Sequence, residues 1–156
     1  MELKIPGDKS ISQRALIFAS LAEGESRIRG ILPEGDPAST ARAMGALGVH
    51  IPALGPELVI RGRGLQGMAR PTAALDLENS GTGARLLLGV LSGQRFDAVL
   101  TGDASLRKRP MARVTRPLSE MGARFEALEA EGRLPIRVMG GPLKPFSYRL
   151  PVASAQ

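Results

Sequence analysis

The sequence predicts an α/β fold of repeated β-α-β-α-β-β units, about two of them plus the start of a third. Three observations predict it. The first is internal similarity. Arg42-Ala43-Met44-Gly45-Ala46-Leu47-Gly48-Val49 resembles Arg116-Pro117-Leu118-Ser119-Glu120-Met121-Gly122-Ala123, a spacing of 74 residues from Arg42 to Arg116. Leu58-Val59-Ile60-Arg61 resembles Leu134-Pro135-Ile136-Arg137, 76 residues from Leu58 to Leu134. The second observation is a polar turn running straight into an apolar helix, once at Lys9-Ser10 and again at Asn79-Ser80. Ser154-Ala155-Gln156 is a third polar start. The third is helix punctuation: Asp36-Pro37 and Pro110 open helices that stop at Gly48 and Gly122.

The elements follow in order. Unit one covers about 1–72, with a strand at Glu2–Ile5, a helix at Ser10–Ala22 and a strand near Ser26–Ile31. A helix capped by Asp36 runs to Leu47, and strands near His50–Pro52 and Glu57–Arg61 close the unit. Unit two covers about 73–147: strand Ala74–Leu77, helix Thr82–Leu91, strand Ala98–Thr101, a helix from about Pro110 to Met121, then strands Arg124–Leu128 and Leu134–Met139. Residues 148–156 open unit three. Phe146-Ser147-Tyr148-Arg149-Leu150-Pro151 alternates like a strand, and the chain stops at what reads as a helix start, the pattern of a truncated chain. Ala15 to Ala19 and Leu86 to Val90 have little polar face and are expected inside, with the amphipathic second helices outside.

Composition narrows the function. With 156 residues and 43% apolar content, the chain is long enough for a sizeable core. Four Phe, one Tyr and no Trp leave few faces for stacking bases. The net charge is +6, and the basic residues are mostly Arg and scattered, which favours a small anionic ligand over nucleic acid. No cysteine and a single histidine, His50, exclude a disulfide framework, a Cys-ligated zinc, a His-cluster metal site and a Ser-His-Asp triad. No apolar run approaches membrane-spanning length and the start lacks a signal-peptide core, so the expected setting is the cytoplasm.

Three stretches carry chemistry. In Pro6-Gly7-Asp8-Lys9-Ser10-Ile11-Ser12-Gln13-Arg14, Asp8, Ser10 or Ser12 could cap the helix, and Lys9 and Arg14 bracket its free N–H groups. Free amides beside two cations suit phosphate or carboxylate, although an ordinary helix start with surface cations reads the same way. In Asp76-Leu77-Glu78-Asn79-Ser80-Gly81-Thr82-Gly83-Ala84-Arg85, the glycines let a ligand approach the backbone, Asn79, Ser80 and Thr82 offer neutral hydrogen bonds, and Arg85 offers charge. Thr101-Gly102-Asp103-Ala104-Ser105-Leu106-Arg107-Lys108-Arg109-Pro110 sets three cations before a proline, a pattern shared with solvated basic loops.

In this order and at these separations, the motifs resemble the N-terminal part of the 5-enolpyruvylshikimate-3-phosphate synthases. Pro6 to Ala15 resembles the opening motif, Asn79-Ser80-Gly81-Thr82 with Arg85 the phosphoenolpyruvate loop, and Leu100 to Pro110 a third signature. Pro151-Val152-Ala153-Ser154-Ala155-Gln156 resembles the start of a fourth, so the resemblance covers the whole chain. It implies transfer of the enolpyruvyl group of phosphoenolpyruvate to the 5-hydroxyl of shikimate 3-phosphate, with release of phosphate. No cofactor or metal is implied, and the implied full-length molecule is a monomer of two lobes, each of three β-α-β-α-β-β units. By resemblance, Lys9 contacts both substrates, and Ser10 and Arg14 hold shikimate 3-phosphate. Gly81 and Arg109 contact phosphoenolpyruvate. Ser154, Ala155 and Gln156 line the shikimate phosphate side, with Gln156 also near phosphoenolpyruvate. Asp36, Asn79, Thr82 and Arg85 stand behind them. The acid and base groups belong to the second lobe, so none is expected in this portion and the chain alone is expected to be inactive.

Two positions depart from the pattern. Gln13 replaces the usual His or Asn, read as a tolerable change in a loop. Glu78 replaces the usual Gly and is expected to point away from the anion site. Gly81 keeps the small residue associated in the family with access for glyphosate. The related UDP-N-acetylglucosamine enolpyruvyl transferases use a different opening motif and usually a catalytic cysteine, absent here. A basic nucleic-acid-binding module predicts steeply salt-dependent binding, and an inert half-lobe predicts a chain that does not fold stably alone.

Overall fold

The computed structural model describes residues 7–149. The expected strand at 2–5 and the polar start at 154–156 lie outside them. Helix α1 (Lys9–Leu21) begins at Asp8, whose carboxylate accepts the Ile11 amide at 2.7 Å. Of the three capping candidates, Asp8 is therefore the cap. Gln13, Leu16, Ile17 and Ser20, at helical spacing, form the buried stripe. The opposite side is not buried: Ile11 is 59% exposed and Phe18 66%. The expectation of an all-round buried helix is corrected here, because α1 packs on α2 and β2 from one side only among the described residues.

Strand β1 (Glu23–Arg29) pairs antiparallel along its whole length with β2 (Glu57–Arg63), from Glu23 opposite Arg63 to Arg29 opposite Glu57. Between them lies α2 (Asp36–Ala46). Its N-cap is Gly35 rather than Asp36: the cap backbone has φ 65°, which glycine adopts freely, and the Asp36 side chain turns to Lys9 instead. The helix ends as expected at Gly48, φ 87°. The strand expected at His50–Pro52 does not form. Pro52 has no N–H to donate, and β1 already has its partner in β2, so the segment crosses without a ladder while Val49 and Ile51 pack on the core.

The second half forms a four-stranded sheet in the order β3-β4-β6-β5. Strand β3 (Leu75–Asp76) leads through α3 (Gly81–Ser92) to β4 (Asp97–Thr101), which lies parallel to β3. A short helix, α4 (Ala104–Arg107), precedes α5 (Ala112–Glu120). Strands β5 (Arg124–Ala127) and β6 (Ile136–Met139) then add antiparallel. Helix α5 buries none of its residues and lies outside, as its amphipathic pattern predicts. The described part of the expected strand at 146–151, residues 146–149, is not a strand: alternation alone supplies no partner, and Phe146 and Tyr148 instead bring their rings to 5.7 Å.

Leu16, Met44 and Ile60 from the first half join Leu87, Leu91 and Leu100 from the second in one core. Each such side chain contributes about 1.5–3 kcal/mol of burial free energy. No helix among the described residues is long and apolar enough to cross a membrane.

Candidate functional site

The parallel register of β3 and β4 sets Asp76 beside Thr101, so both strands run out at the same edge. Leu77 donates its amide to the Thr101 carbonyl at 3.1 Å, and Asp103 donates to the Glu78 carbonyl at 2.8 Å. These bonds join the Glu78–Ser80 loop to the Gly102–Asp103 loop. Two motifs separated by some twenty residues of helix and strand thus become one surface at the carboxyl ends of parallel strands, where open α/β sheets place ligands.

Ser80 caps α3, accepting the Gly83 amide at 3.1 Å. Gly81 opens the helix beneath two guanidinium groups. A Cβ there would lie 3.0 Å from the Nη1 atoms of both Arg85 and Arg109. Arg85 donates to the Gly81 and Pro110 carbonyls, each at 3.2 Å. Burial, then the neighbouring charges of Arg109 and Arg113, pulls its guanidinium below the ordinary arginine value. Arg109 donates through Nη2 to Asn79 Oδ1, while Asn79 Nδ2 donates to Asp103 Oδ2 at 2.8 Å. Thr82 is half-buried in the first turn of α3.

The α1 stretch meets this corner through Gln13. The two N–H groups of its Nε2 are shared among three acceptors: the Asp36 carbonyl at 3.3 Å, Thr40 Oγ1 at 3.1 Å and Ser80 Oγ. Gln13, Thr40 and Ser80 are all fully buried. The reading of Gln13 as a tolerant loop position is corrected: it lies inside α1 and joins the starts of α2 and α3 to it. Its Oε1 is buried without a hydrogen-bond partner among the described residues. Lys9 Nζ lies 3.2 Å from Asp36 Oδ2 and remains 55% exposed, so Asp36 receives α1 by its carboxylate and Gln13 by its carbonyl. Ser10 is half-buried and Arg14 exposed, in the first two turns of α1. Glu78 pairs with Arg42 at 2.6 Å rather than with the arginines over Gly81. Its backbone has φ 50°, the left-handed region where glycine is at ease.

The starts of α2 and α3 thus converge on α1, with Lys9, Arg85 and Arg109 around them. Helix N-termini and guanidinium groups favour anions, and the spread of the cations suits more than one. A separate hollow of about 350 Å³, lined by Arg70, Asp97 and Arg137 among others, lies at the opposite, amino ends of β3 and β4.

A sequence model of EPSP synthase (3-phosphoshikimate 1-carboxyvinyltransferase) matches residues 1–156. The chain belongs to the EPSP synthase family. It is 53% identical over 154 residues to the 3-phosphoshikimate 1-carboxyvinyltransferase of Gluconobacter oxydans, covering 98% of this chain and 35% of that protein. To the protein of the same name from Thermus thermophilus it is 52% identical over 155 residues, covering 99% and 36%. It is similar in structure to the EPSP synthase from Acinetobacter baumannii, with a TM-score of 0.91 and 46% identity, covering 99% of this chain and 36% of that one. The chain therefore spans about a third of the length of these relatives.

Of the residues that the motifs singled out, Lys9 and Asp36 meet directly, and Gly81, Arg85, Asn79 and Arg109 form a second cluster joined to them through Gln13. Ser154, Ala155 and Gln156 lie outside the described residues. The motifs did not single out Thr40 or Asp103, and Gln13 was taken for a loop position. Gln13 was visible in principle, since it shares the spacing of Leu16, Ile17 and Ser20. Asp103 was visible as a cap: its Oδ1 accepts the Leu106 amide at 2.7 Å and starts α4, an element read as loop.

Proposed function

We propose that this chain carries part of the substrate site for transfer of the enolpyruvyl group of phosphoenolpyruvate to the 5-hydroxyl of shikimate 3-phosphate. In this reading Lys9, Ser10 and Arg14 hold shikimate 3-phosphate, joined by Ser154, Ala155 and Gln156. Gly81 and Arg109 hold phosphoenolpyruvate, with Lys9 and Gln156 reaching it as well. Asp36, Asn79, Thr82 and Arg85 stand behind these contacts. The chain is read as two α/β units, about 1–72 and 73–147, with the start of a third at 148–156. The whole protein is read as monomeric and cytoplasmic.

The observation that carries the proposal is the pair of guanidinium groups over Gly81, at the start of a helix that Gln13 ties to the Lys9 stretch. Both substrates are polyanions, and bringing them together requires fixed positive groups to offset their repulsion. The reaction also protonates a vinyl carbon and removes a hydroxyl proton. No group in the described site is assigned those steps, and the remaining two thirds of the family's length is read as supplying them.

Calorimetric titration of the 156-residue chain tests the reading. Saturable binding of shikimate 3-phosphate and of phosphoenolpyruvate is expected, the latter lost in Arg109→Leu. No turnover is expected when both are supplied. Absence of binding by either substrate, or preferential and steeply salt-dependent binding of an oligonucleotide, overturns the proposal. Turnover by the chain alone overturns the assignment of acid and base elsewhere.

A further inference from the structure

We propose that Asp103 is a positioning residue that sets the direction of the Arg109 guanidinium through the side-chain amide of Asn79. This rests on the reading of Arg109 as a phosphoenolpyruvate ligand. An ionised carboxylate only accepts, so the Asn79 group facing Asp103 Oδ2 at 2.8 Å is its NH2. The other end of the amide, Oδ1, is thereby turned to Arg109 and accepts from Nη2. Were the amide turned over, an N–H would face an N–H and Arg109 would lose its hold.

Asp103 is itself held from two sides. Its backbone amide is fixed to the Glu78 carbonyl at 2.8 Å, and its Oδ1 is fixed by the Leu106 amide at 2.7 Å. Gly102 admits no side chain, since a Cβ would come within 2.5 Å of Leu106 Cδ2 and 2.6 Å of the Glu78 carbonyl oxygen. The carboxylate is therefore a fixed reference point, and the Asn79 bond, followed by the Leu106 bond, holds its carboxyl below the usual aspartate value. The reference is needed because Arg109 and Arg85 converge on Gly81 with like charges that push them apart. A neutral amide between Asp103 and Arg109 orients the guanidinium without placing a carboxylate on it, leaving its charge for the ligand.

Asp103→Asn tests this with little change of shape. One oxygen remains to cap Leu106, and Asn is as good a cap as Asp. The group facing Asn79 becomes NH2, so Asn79 must turn over and present N–H to Arg109. The expected result is a change in the side-chain NMR signals of Asn79 and Arg109 in the ligand-free chain. Phosphoenolpyruvate affinity falls about tenfold, the size of one charge-assisted hydrogen bond. Shikimate 3-phosphate affinity and the melting midpoint stay as in the wild type. The double variant Asp103→Asn, Asn79→Asp restores donor facing acceptor at both contacts and returns the Arg109 signal towards its wild-type position. Unchanged Asn79 and Arg109 signals in Asp103→Asn overturn the proposal. So does a loss of both affinities in step with a lowered midpoint, which is the mark of a merely structural role. If the wild-type chain binds no phosphoenolpyruvate, the assigned ligand of Arg109 is wrong, while the ligand-free signals still decide whether Asp103 orients it.

Discussion

Two glycines two residues apart should respond to alanine in opposite ways. At Gly83, an added Cβ would lie 2.7 Å from Ser80 Oγ, 2.9 Å from Thr40 Oγ1 and 3.0 Å from Gln13 Nε2. All three neighbours are fully buried and hydrogen-bonded to one another or to the backbone, so none can retreat without breaking a bond. Overpacking of this kind costs about 1–3 kcal/mol. Loss of the Ser80 cap adds about 1 kcal/mol, and the better helix propensity of alanine returns at most about 1 kcal/mol. The net loss is about 2 kcal/mol, which for a chain of this length lowers the melting midpoint by about 4–8 °C. At Gly81 the added Cβ crowds the ends of the Arg85 and Arg109 side chains, both at 3.0 Å, and meets Leu106 Cδ1 at an ordinary contact of 3.8 Å. Both guanidinium groups are only partly buried, so their bonds to the Gly81 and Pro110 carbonyls and to Asn79 can be exchanged for bonds to water, and Gly81→Ala is expected to keep stability within about 1 kcal/mol while weakening phosphoenolpyruvate binding. The assay is thermal and urea unfolding of both variants beside the wild type, followed by calorimetric titration of the folded ones. A Gly83→Ala chain that melts with or above the wild type refutes the packing argument.

Other consequences follow from the same geometry. Glu78→Gly relieves a left-handed backbone worth about 1 kcal/mol and loses one exposed ion pair to Arg42 worth no more than that. Unfolding should show equal or slightly higher stability, and phosphoenolpyruvate affinity should stay put, because Glu78 does not face the site; a sharp tightening would place it there. Glu57 is held below its ordinary value of 4.5 by hydrogen bonds from Arg29 and then Arg27, and Asp103 below 3.8 by Asn79 and then the Leu106 amide. A carboxyl lowered in the folded state adds stability above its unfolded value and loses it as pH falls through the folded one. NMR titration should therefore show Glu57 half-protonated below pH 4.5 and Asp103 below pH 3.8, with order at the Asn79–Arg109 contact fading only under that range. Titration at or above those values contradicts the hydrogen-bond assignments.

Much of the fold was legible because its signals are local. Apolar spacing marked α1 and α3, and Gly48 and Gly122 both sit at positive φ where helices stop. Partnership between strands is not local. The alternation at 146–149 and the extended run at His50–Pro52 look like strands, but a strand needs a neighbour with unpaired groups, and nothing in those residues says whether one exists. For the same reason the motifs around Gly81 and Arg109 could be singled out separately, whereas their contact depends on the parallel register of Leu75 with Leu100. Gln13 was misplaced because a polar residue in a polar motif reads as surface. Its burial follows from three hydroxyl and carbonyl groups supplied by α2 and by the cap of α3, distant in sequence.

In this reading the Lys9–Arg14 start of α1 and the Gly81–Arg109 corner are two neighbouring anion sites with different ligands. Residue-resolved amide NMR of the isotope-labelled chain, titrated separately with each substrate, tests it most directly. The account predicts that phosphoenolpyruvate shifts Gly81, Thr82, Gly83 and Arg109, and that shikimate 3-phosphate shifts residues 9–14 first. Shifts that are identical for both compounds, or that centre on the hollow at Arg70 and Arg137, contradict it.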